Sequence, residues 1–205
     1  ADAIYKFFLR NPICQEMGRK FKVSFSASDS DTGLSYMHDL GFIAKIKNDI
    51  KGFKVMVGGG LGSQPKHAEL LYDFLPSEKI IPLMECILRV FDRHGERKSR
   101  TKARLKFLLQ NIGLAAFKEL ISEEEKAISS QLVPIENPLQ QVIEPVFKIT
   151  PDAEIKDPAA FKIWKETNTF AQKQEGYFAI GIKVLLGDFY TDKAKLLSDL
   201  VENYA

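Results

Sequence analysis

Between residues 19 and 26 apolar and polar positions alternate. Phe21, Val23 and Phe25 fall on one side, and Lys20, Lys22, Ser24 and Ser26 on the other, which is the period of a half-buried strand. Two further strands are predicted over residues 41–46 and 52–57, joined through the polar stretch Lys47-Asn48-Asp49-Ile50-Lys51 as a hairpin. The second strand runs directly into Gly58-Gly59-Gly60-Leu61-Gly62. Beyond that loop the spacing of apolar residues lengthens to a helical period over 65–75 and again over 82–94, where Met84, Ile87, Leu88 and Phe91 form one stripe. Pro82 suits a first helical turn and Gly95 a stop. A helix over 101–111 would bury Leu105, Leu108, Leu109 and Ile112, and Gly113 separates it from another running through Phe117 and Leu120. Strands followed by helices make an α+β domain.

Residues 131–158 carry Pro134, Pro138, Pro145, Pro151 and Pro158 without a sustained period, the signature of an extended connection between two folding units. The predicted organisation is therefore a domain over 1–130, a linker over 131–158 and a second unit over 159–205. In that unit, 161–170 and 176–186 read as paired strands. Thr191 reads as the N-cap of a helix through Leu196, Leu197, Leu200 and Val201. Two strands and a helix are marginal alone. The expectation is that further strands follow residue 205, or that residues 1–130 cover the exposed edges.

With 205 residues, 45% of them hydrophobic and 27% charged, the chain can bury one large core or two small ones. A formal net charge of +2 gives no global pull toward nucleic acid or an anionic membrane, so any anion preference must be local. No apolar run is long enough to span a bilayer, and the first ten residues lack the order of a secretory signal. A cytoplasmic setting is expected. Cys14 and Cys86 lie far apart, neither in a CxxC pair, and are expected to be reduced thiols, unable by themselves to hold a zinc ion or an iron–sulfur cluster. His38, His67 and His94 show no metal-binding spacing, and no metal ligand is assigned.

Three features carry candidate chemistry. In Arg19-Lys20-Phe21-Lys22 the strand period aims both lysines at one side, where an anion would relieve their mutual repulsion; dispersed, solvated lysines are the alternative. The run Gly58-Gly59-Gly60-Leu61-Gly62 permits close approach and backbone N–H contacts to an anion, yet it has neither the Walker nor the GxGxxG spacing, and a plain tight turn reads equally well. The basic run Arg97, Lys98, Arg100, Lys102, Arg104 and Lys106 would align Arg97, Arg100 and Arg104 on an early-starting helix. Without interleaved aromatics it reads as a solvated helix face or docking surface and not as a nucleic-acid stripe.

In order along the chain, Gly18-Arg19-Lys20-Phe21-Lys22, His38-Asp39-Leu40-Gly41-Phe42, Gly52-Phe53-Lys54-Val55-Met56-Val57-Gly58-Gly59-Gly60-Leu61-Gly62, Gly95-Glu96-Arg97-Lys98-Ser99-Arg100-Thr101-Lys102-Ala103-Arg104 and Gly113-Leu114-Ala115-Ala116-Phe117 resemble the siroheme-dependent sulfite and nitrite reductases. Thr167-Asn168-Thr169 and Gln172-Lys173-Gln174-Glu175-Gly176-Tyr177 look like the opening of the same family's ferredoxin-like half-domain. The resemblance implies an internal fragment holding a siroheme-type domain of the first repeat and the start of the second half-domain. The cluster-ligating cysteines would lie after it, and several siroheme-contacting arginines before it.

The activity implied for the full-length protein is the six-electron reduction of sulfite to sulfide or nitrite to ammonia. It would use siroheme and a 4Fe-4S cluster, with electrons from ferredoxin or a reductase subunit. By the same match Lys20 and Lys22 face the anion, Arg19 assists siroheme binding, and Gly58, Gly59 and Gly60 shape a nearby loop. The fragment alone is expected to bind no cofactor and to be inactive. The competing reading from the residues is a non-catalytic α+β module that binds an anion or a partner.

Overall fold

The structure, a computed structural model, describes residues 1–128, 135, 154–172 and 175–204. It divides into two compact units, Ala1–Leu139 and Gln140–Ala205. Most of the predicted linker over 131–158 lies outside the described residues.

The first unit is built on a four-stranded sheet in the order β1-β2-β3-β4, comprising Val23–Ser26, Leu40–Lys47, Ile50–Val57 and Glu69–Pro76. Strand β1 runs parallel to β2, and the other neighbours are antiparallel. The β2–β3 hairpin closes through Asn48 and Asp49 alone, both at positive φ (50° and 61°). That is the conformation a two-residue hairpin turn demands, and Asn and Asp tolerate it. Helix α1, Asp2–Phe8, opens the chain; α2, Ile80–His94, and α3, Leu105–Ala127, follow the sheet. Gly113 (φ 80°, ψ 160°) interrupts α3 where the sequence places a break.

The core lies where α2 and α3 meet one face of the sheet. Leu40, Phe42, Val55 and Val57 from the strands pack with Ile81, Ile87, Leu88, Leu105, Leu109 and Phe117 from the helices. Each such fully buried side chain contributes about 1.5–3 kcal/mol over its exposed state. Phe25 stacks on Phe42 at 4.9 Å, and Phe21 lies 6.0 Å from Phe91 of α2. On the opposite face a small cluster of Ile43, Met56 and Ala68 covers the same end of the sheet. This explains why β2 begins as an unbroken apolar run.

The structure corrects four expectations. Residues 69–76 are strand, not helix: β4 pairs with β3, Phe53 with Leu75, Val55 with Tyr72 and Met56 with Leu70, through two register shifts. Leu71 and Leu75 are buried while Asp73 between them is exposed; the shifts break the two-residue alternation, and the spacing that is left imitates a helix. The predicted strand over 19–26 is regular only from Val23, and Ser24 and Ser26 are buried, not solvated. They are covered by the 27–37 loop. Ser24 donates to the Gly33 carbonyl, while Ser26 donates to Asp31 Oδ1 at 2.5 Å and accepts from Gly33 N–H at 3.0 Å.

The helix predicted from residue 101 begins at Leu105 after a 3-10 turn over Arg100–Lys102, so no early helix aligns Arg97, Arg100 and Arg104. In the second unit, residues expected as a long hairpin form helix α4, Pro158–Asn168, and only the short strands β5, Thr169–Ala171, and β6, Phe178–Ile180. Asp157 caps α4 by accepting from Ala160 N–H at 3.0 Å, and Pro158 occupies the first turn. Those two residues are a helix start that outweighs the strand propensity of Phe161, Ile163 and Trp164.

Helix α5 covers Thr191–Tyr204, with Thr191 as its first residue and Tyr190 O accepting from Ala194 N–H. Among the described residues of this unit none is buried, and Trp164, Phe170 and Phe178 are 44%, 59% and 57% exposed.

The 27–37 loop yields a pH prediction. Burial acts to raise the Asp31 pKa but is outweighed by hydrogen bonds from Ser26, Ser35 and Tyr36, and the net direction is down. A carboxyl whose folded pKa is depressed stabilises the fold above its unfolded pKa and loses that contribution as pH falls through the folded value. Asp31→Asn should therefore flatten the acid limb of a stability-versus-pH curve measured by urea unfolding; an unchanged acid limb would show that Asp31 is not the group responsible.

Candidate functional site

Residues 20–22 lead into β1 with alternating exposure: Lys20 and Lys22 are exposed while Phe21 between them is half-buried against the core. Among the described residues neither ammonium group has a salt bridge or hydrogen bond. Their backbone is pinned nonetheless. Lys22 N–H donates to Asp39 Oδ2 at 2.9 Å, and Lys22 O accepts from Leu40 N–H at 3.2 Å. The Lys-Phe-Lys run is thus a pair of free cations on a fixed support.

Asp39 is the centre of that support. It is fully buried, and its carboxylate takes both arms of Arg104, Nε to Oδ1 at 3.1 Å and a terminal guanidinium nitrogen to Oδ2 at 2.5 Å. This bidentate geometry lets two charges leave water together. Its carbonyl accepts from Gly58 N–H at 2.9 Å, and the His38 carbonyl accepts from Gly59 N–H at 3.0 Å. One aspartate therefore ties the start of β2, the approach to β1, the glycine loop and the residue before α3 to each other.

The loop needs its glycines for two distinct reasons. Gly58 has φ +81°, with Leu109 Cδ2 2.7 Å from where a Cβ would sit. A Cβ on Gly59 would lie 2.5 Å from Tyr36 O and 2.7 Å from His38 O, a clash with backbone that cannot relax. Gly60 then pairs with Lys66 through hydrogen bonds of 2.9 and 2.8 Å.

All three glycine N–H groups are therefore donated within the chain, not held open for an anion. The amides of Leu61, Gly62, Ser63 and Gln64 donate to no backbone carbonyl among the described residues. Inside this loop sits Lys106, only 5% exposed, whose ammonium donates to Leu61 O at 2.9 Å and Gln64 O at 2.6 Å. Burial, followed by the neighbouring Arg104, lowers its pKa; Asp39 opposes the shift.

Arg19 lies beside the lysines on a cleft of about 350 Å³ lined also by Phe8, Met17, Lys20, Phe21 and Leu88. Its Nε is buried without a hydrogen-bond partner, an arrangement that costs free energy until an acceptor arrives. Arg97, whose side chain comes within 2.9 Å of where a Cβ on Gly18 would sit, is held by Asp92. The basic run thus separates by role. Arg97 and Arg104 are paired, Lys106 is buried, and Lys98, Arg100 and Lys102 are exposed.

Of the residues the sequence brings forward, Lys22 is joined to Gly58 through Asp39, with Gly59 on the adjacent His38 carbonyl, while Arg19 and Lys20 line a cleft with Phe8 and Leu88. Asp39 had no assigned role, and Arg104 and Lys106, expected on a solvated helix face or docking surface, are ion-paired and buried instead. Two signals were there: an acidic residue opening an apolar strand, and a lysine set between Leu105 and Phe107-Leu108-Leu109.

The donor set suits one of the two groups the resemblance implies and not the other. A many-carboxylate tetrapyrrole fits a surface where Arg19 lacks an acceptor and Lys20 and Lys22 lack counter-charges. An iron–sulfur cluster does not fit the thiols present. Cys14 Sγ donates to Phe8 O and Asn11 O, both at 3.3 Å, and Cys86 is buried in α2. Among the described residues no group of three or more His, Cys, Asp or Glu converges. Burial, then the carboxylates of Glu125 and Glu85, pushes the Cys86 thiol up to about 12, so it stays protonated and unreactive. A maleimide should label Cys86 only when the protein is unfolded in denaturant; rapid labelling of the native protein would show that α2 opens.

Known proteins resemble this chain in sequence and fold. Over 123 residues the chain is 37% identical to the sulfite reductase [NADPH] hemoprotein beta-component of Methylobacterium nodulans, an alignment covering 56% of this chain and 20% of that protein. Over 124 residues it is 30% identical to sulfite reductase [ferredoxin] 1 of Mycolicibacterium paratuberculosis, covering 60% and 22%. It superposes on the structure of the Mycobacterium tuberculosis NirA protein with a TM-score of 0.54 and 27% identity, covering 68% of this chain and 25% of that one. The chain spans about a fifth of the length of these curated relatives. Residues 1–128 match the family model described as the nitrite and sulphite reductase 4Fe-4S domain, and the chain belongs to that family.

Proposed function

We propose that residues 1–130 supply part of the siroheme and anion site of a reductase that carries out six-electron reduction of sulfite to sulfide or nitrite to ammonia. On this reading 159–205 begin a ferredoxin-like half-domain. The observation that carries the proposal is the pair of uncompensated ammonium groups, Lys20 and Lys22, on a backbone fixed by Asp39. An oxyanion approaching an electron-rich centre must have its charge offset, and fixed cations accomplish this without reorganising. Each oxygen removed leaves as water and consumes protons, which an ammonium next to the anion can donate.

Siroheme, when bound, would supply the iron and pass on electrons that the donor provides; Arg19, with its unpartnered Nε, would hold its carboxylates. Gly58, Gly59 and Gly60 shape the loop beside Asp39, and its open amides at residues 61–64 offer further donors. Neither thiol can serve the 4Fe-4S cluster, so the cluster ligands come from elsewhere in the full-length protein, and residues 1–205 alone should show no turnover. The electron donor is a ferredoxin or a reductase subunit. No helix among the described residues is long and apolar enough to cross a membrane, and a cytoplasmic setting suits the reduced thiols.

The full-length protein should show siroheme absorption, a cluster signal in electron paramagnetic resonance, and sulfide or ammonia formation under a reducing donor. A full-length protein lacking both chromophores by metal analysis and spectroscopy would overturn the reading in favour of a non-catalytic anion-binding module.

A further inference from the structure

We infer that Lys106 is a positioning residue: a buried ammonium clamp that sets the glycine loop in the shape the anion site requires. The inference rests on the reductase reading for its functional half; its structural half stands on contacts alone. The loop is closed at its neck by the Gly60–Lys66 pair. Its two inward carbonyls, Leu61 O and Gln64 O, converge on the Lys106 ammonium at 2.9 and 2.6 Å. Side-chain methylenes of Lys106 also fill the space beside Gly60, with Cδ 3.2 Å from where a Cβ would sit.

Without the ammonium, two carbonyl dipoles would face each other in a part-buried site with no protein donor between them. The loop would lose the charged group that draws both carbonyls inward. A planar trans peptide sets its N–H opposite its carbonyl. Fixing Leu61 O on Lys106 therefore directs the Gly62 N–H away from Lys106, where it has no backbone acceptor among the described residues.

The clamp is coupled to the cation pair through a short path. Lys106 lies two residues after Arg104, whose guanidinium holds Asp39, which in turn receives the Lys22 and Gly58 N–H groups. A loop loosened at Lys106 shifts its own neck at Gly58–Gly60, and with it the support under Lys22.

The test uses the full-length protein with Lys106→Met, which keeps the length of the side chain and removes its donors, and Lys106→Arg, which keeps donors. Hydrogen exchange read residue by residue by mass spectrometry should rise by about tenfold or more in Lys106→Met at the amides of Gly60 and Lys66, the two that the neck of the loop protects, as expected for losing hydrogen bonds to a charged group. Exchange in β2 and β3 should not change. In the siroheme-loaded enzyme the KM for sulfite or nitrite should rise about tenfold while kcat falls less, with Lys106→Arg recovering most of both losses.

Unchanged exchange at Gly60 and Lys66 would overturn the clamp. Raised exchange with an unmoved KM would overturn the positioning role. If the wild-type protein reduces neither anion, the reductase reading falls, and the exchange arm still decides whether Lys106 clamps the loop. Melting of both variants within a few degrees of wild type is expected and separates these effects from global unfolding.

Discussion

Asp39→Ala is expected to lower the unfolding free energy by about 3–5 kcal/mol, the cost of leaving a desolvated guanidinium without its partner. The Asp39 side chain is 1% exposed and that of Arg104 18%, so water can only partly replace the lost carboxylate. The same change strips the acceptor from Lys22 N–H. Urea unfolding at neutral pH measures the loss directly, with an unchanged m-value expected if the native and unfolded states keep their compactness. Removing both charges is a different experiment: Asp39→Leu with Arg104→Met should restore much of the stability, since apolar replacements of a buried pair are often neutral. A single-variant loss below about 1 kcal/mol would place the pair with ordinary surface bridges instead.

The second large effect is functional and nearly silent in stability. Lys20→Ala and Lys22→Ala, each in the full-length enzyme, are expected to lower kcat/KM for the anion by about a hundredfold or more, the usual cost of deleting one preorganised charge-stabilising donor. Both side chains are exposed and, among the described residues, make no ion pair or hydrogen bond, so unfolding free energies should stay within about 0.5 kcal/mol of wild type. The opposite pattern, turnover near wild type with a clear loss of stability, would make these lysines part of the scaffold and end the proposed role. The double variant should lose less than the product of the two single effects, because the cations act on one anion.

The Asp39 and lysine predictions separate two layers of one site. On the proposed reading exposed residues meet the ligand, and buried charged residues hold them in place. Only the first layer is visible as a motif, because a Lys-x-Lys on a strand is defined by local period. The second is assembled from residues 22, 39, 58, 104 and 106, whose distances in sequence carry no sign of their meeting. Asp39 and Arg104 are 65 positions apart and bonded twice.

What the sequence determined by itself was whatever depends on neighbours along the chain. The β2–β3 hairpin followed from Asn48-Asp49 between apolar runs, α2 from its single stripe, and the break at Gly113 from the residue itself. The family followed from ordered strings that the comparison with known proteins matches over residues 1–128. Tertiary structure decided the rest. β4 imitates a helix because two register shifts break its alternation and leave Asp73 exposed between buried Leu71 and Leu75, and bulges depend on the facing strand, not on local period. The basic run divides into paired, buried and exposed residues because burial is a property of what packs above a side chain. The Gly58–Gly60 amides are bonded within the chain and the loop closes on the lysine inside it, since a carbonyl's partner is set by the fold in three dimensions and not by the glycines that let the chain turn.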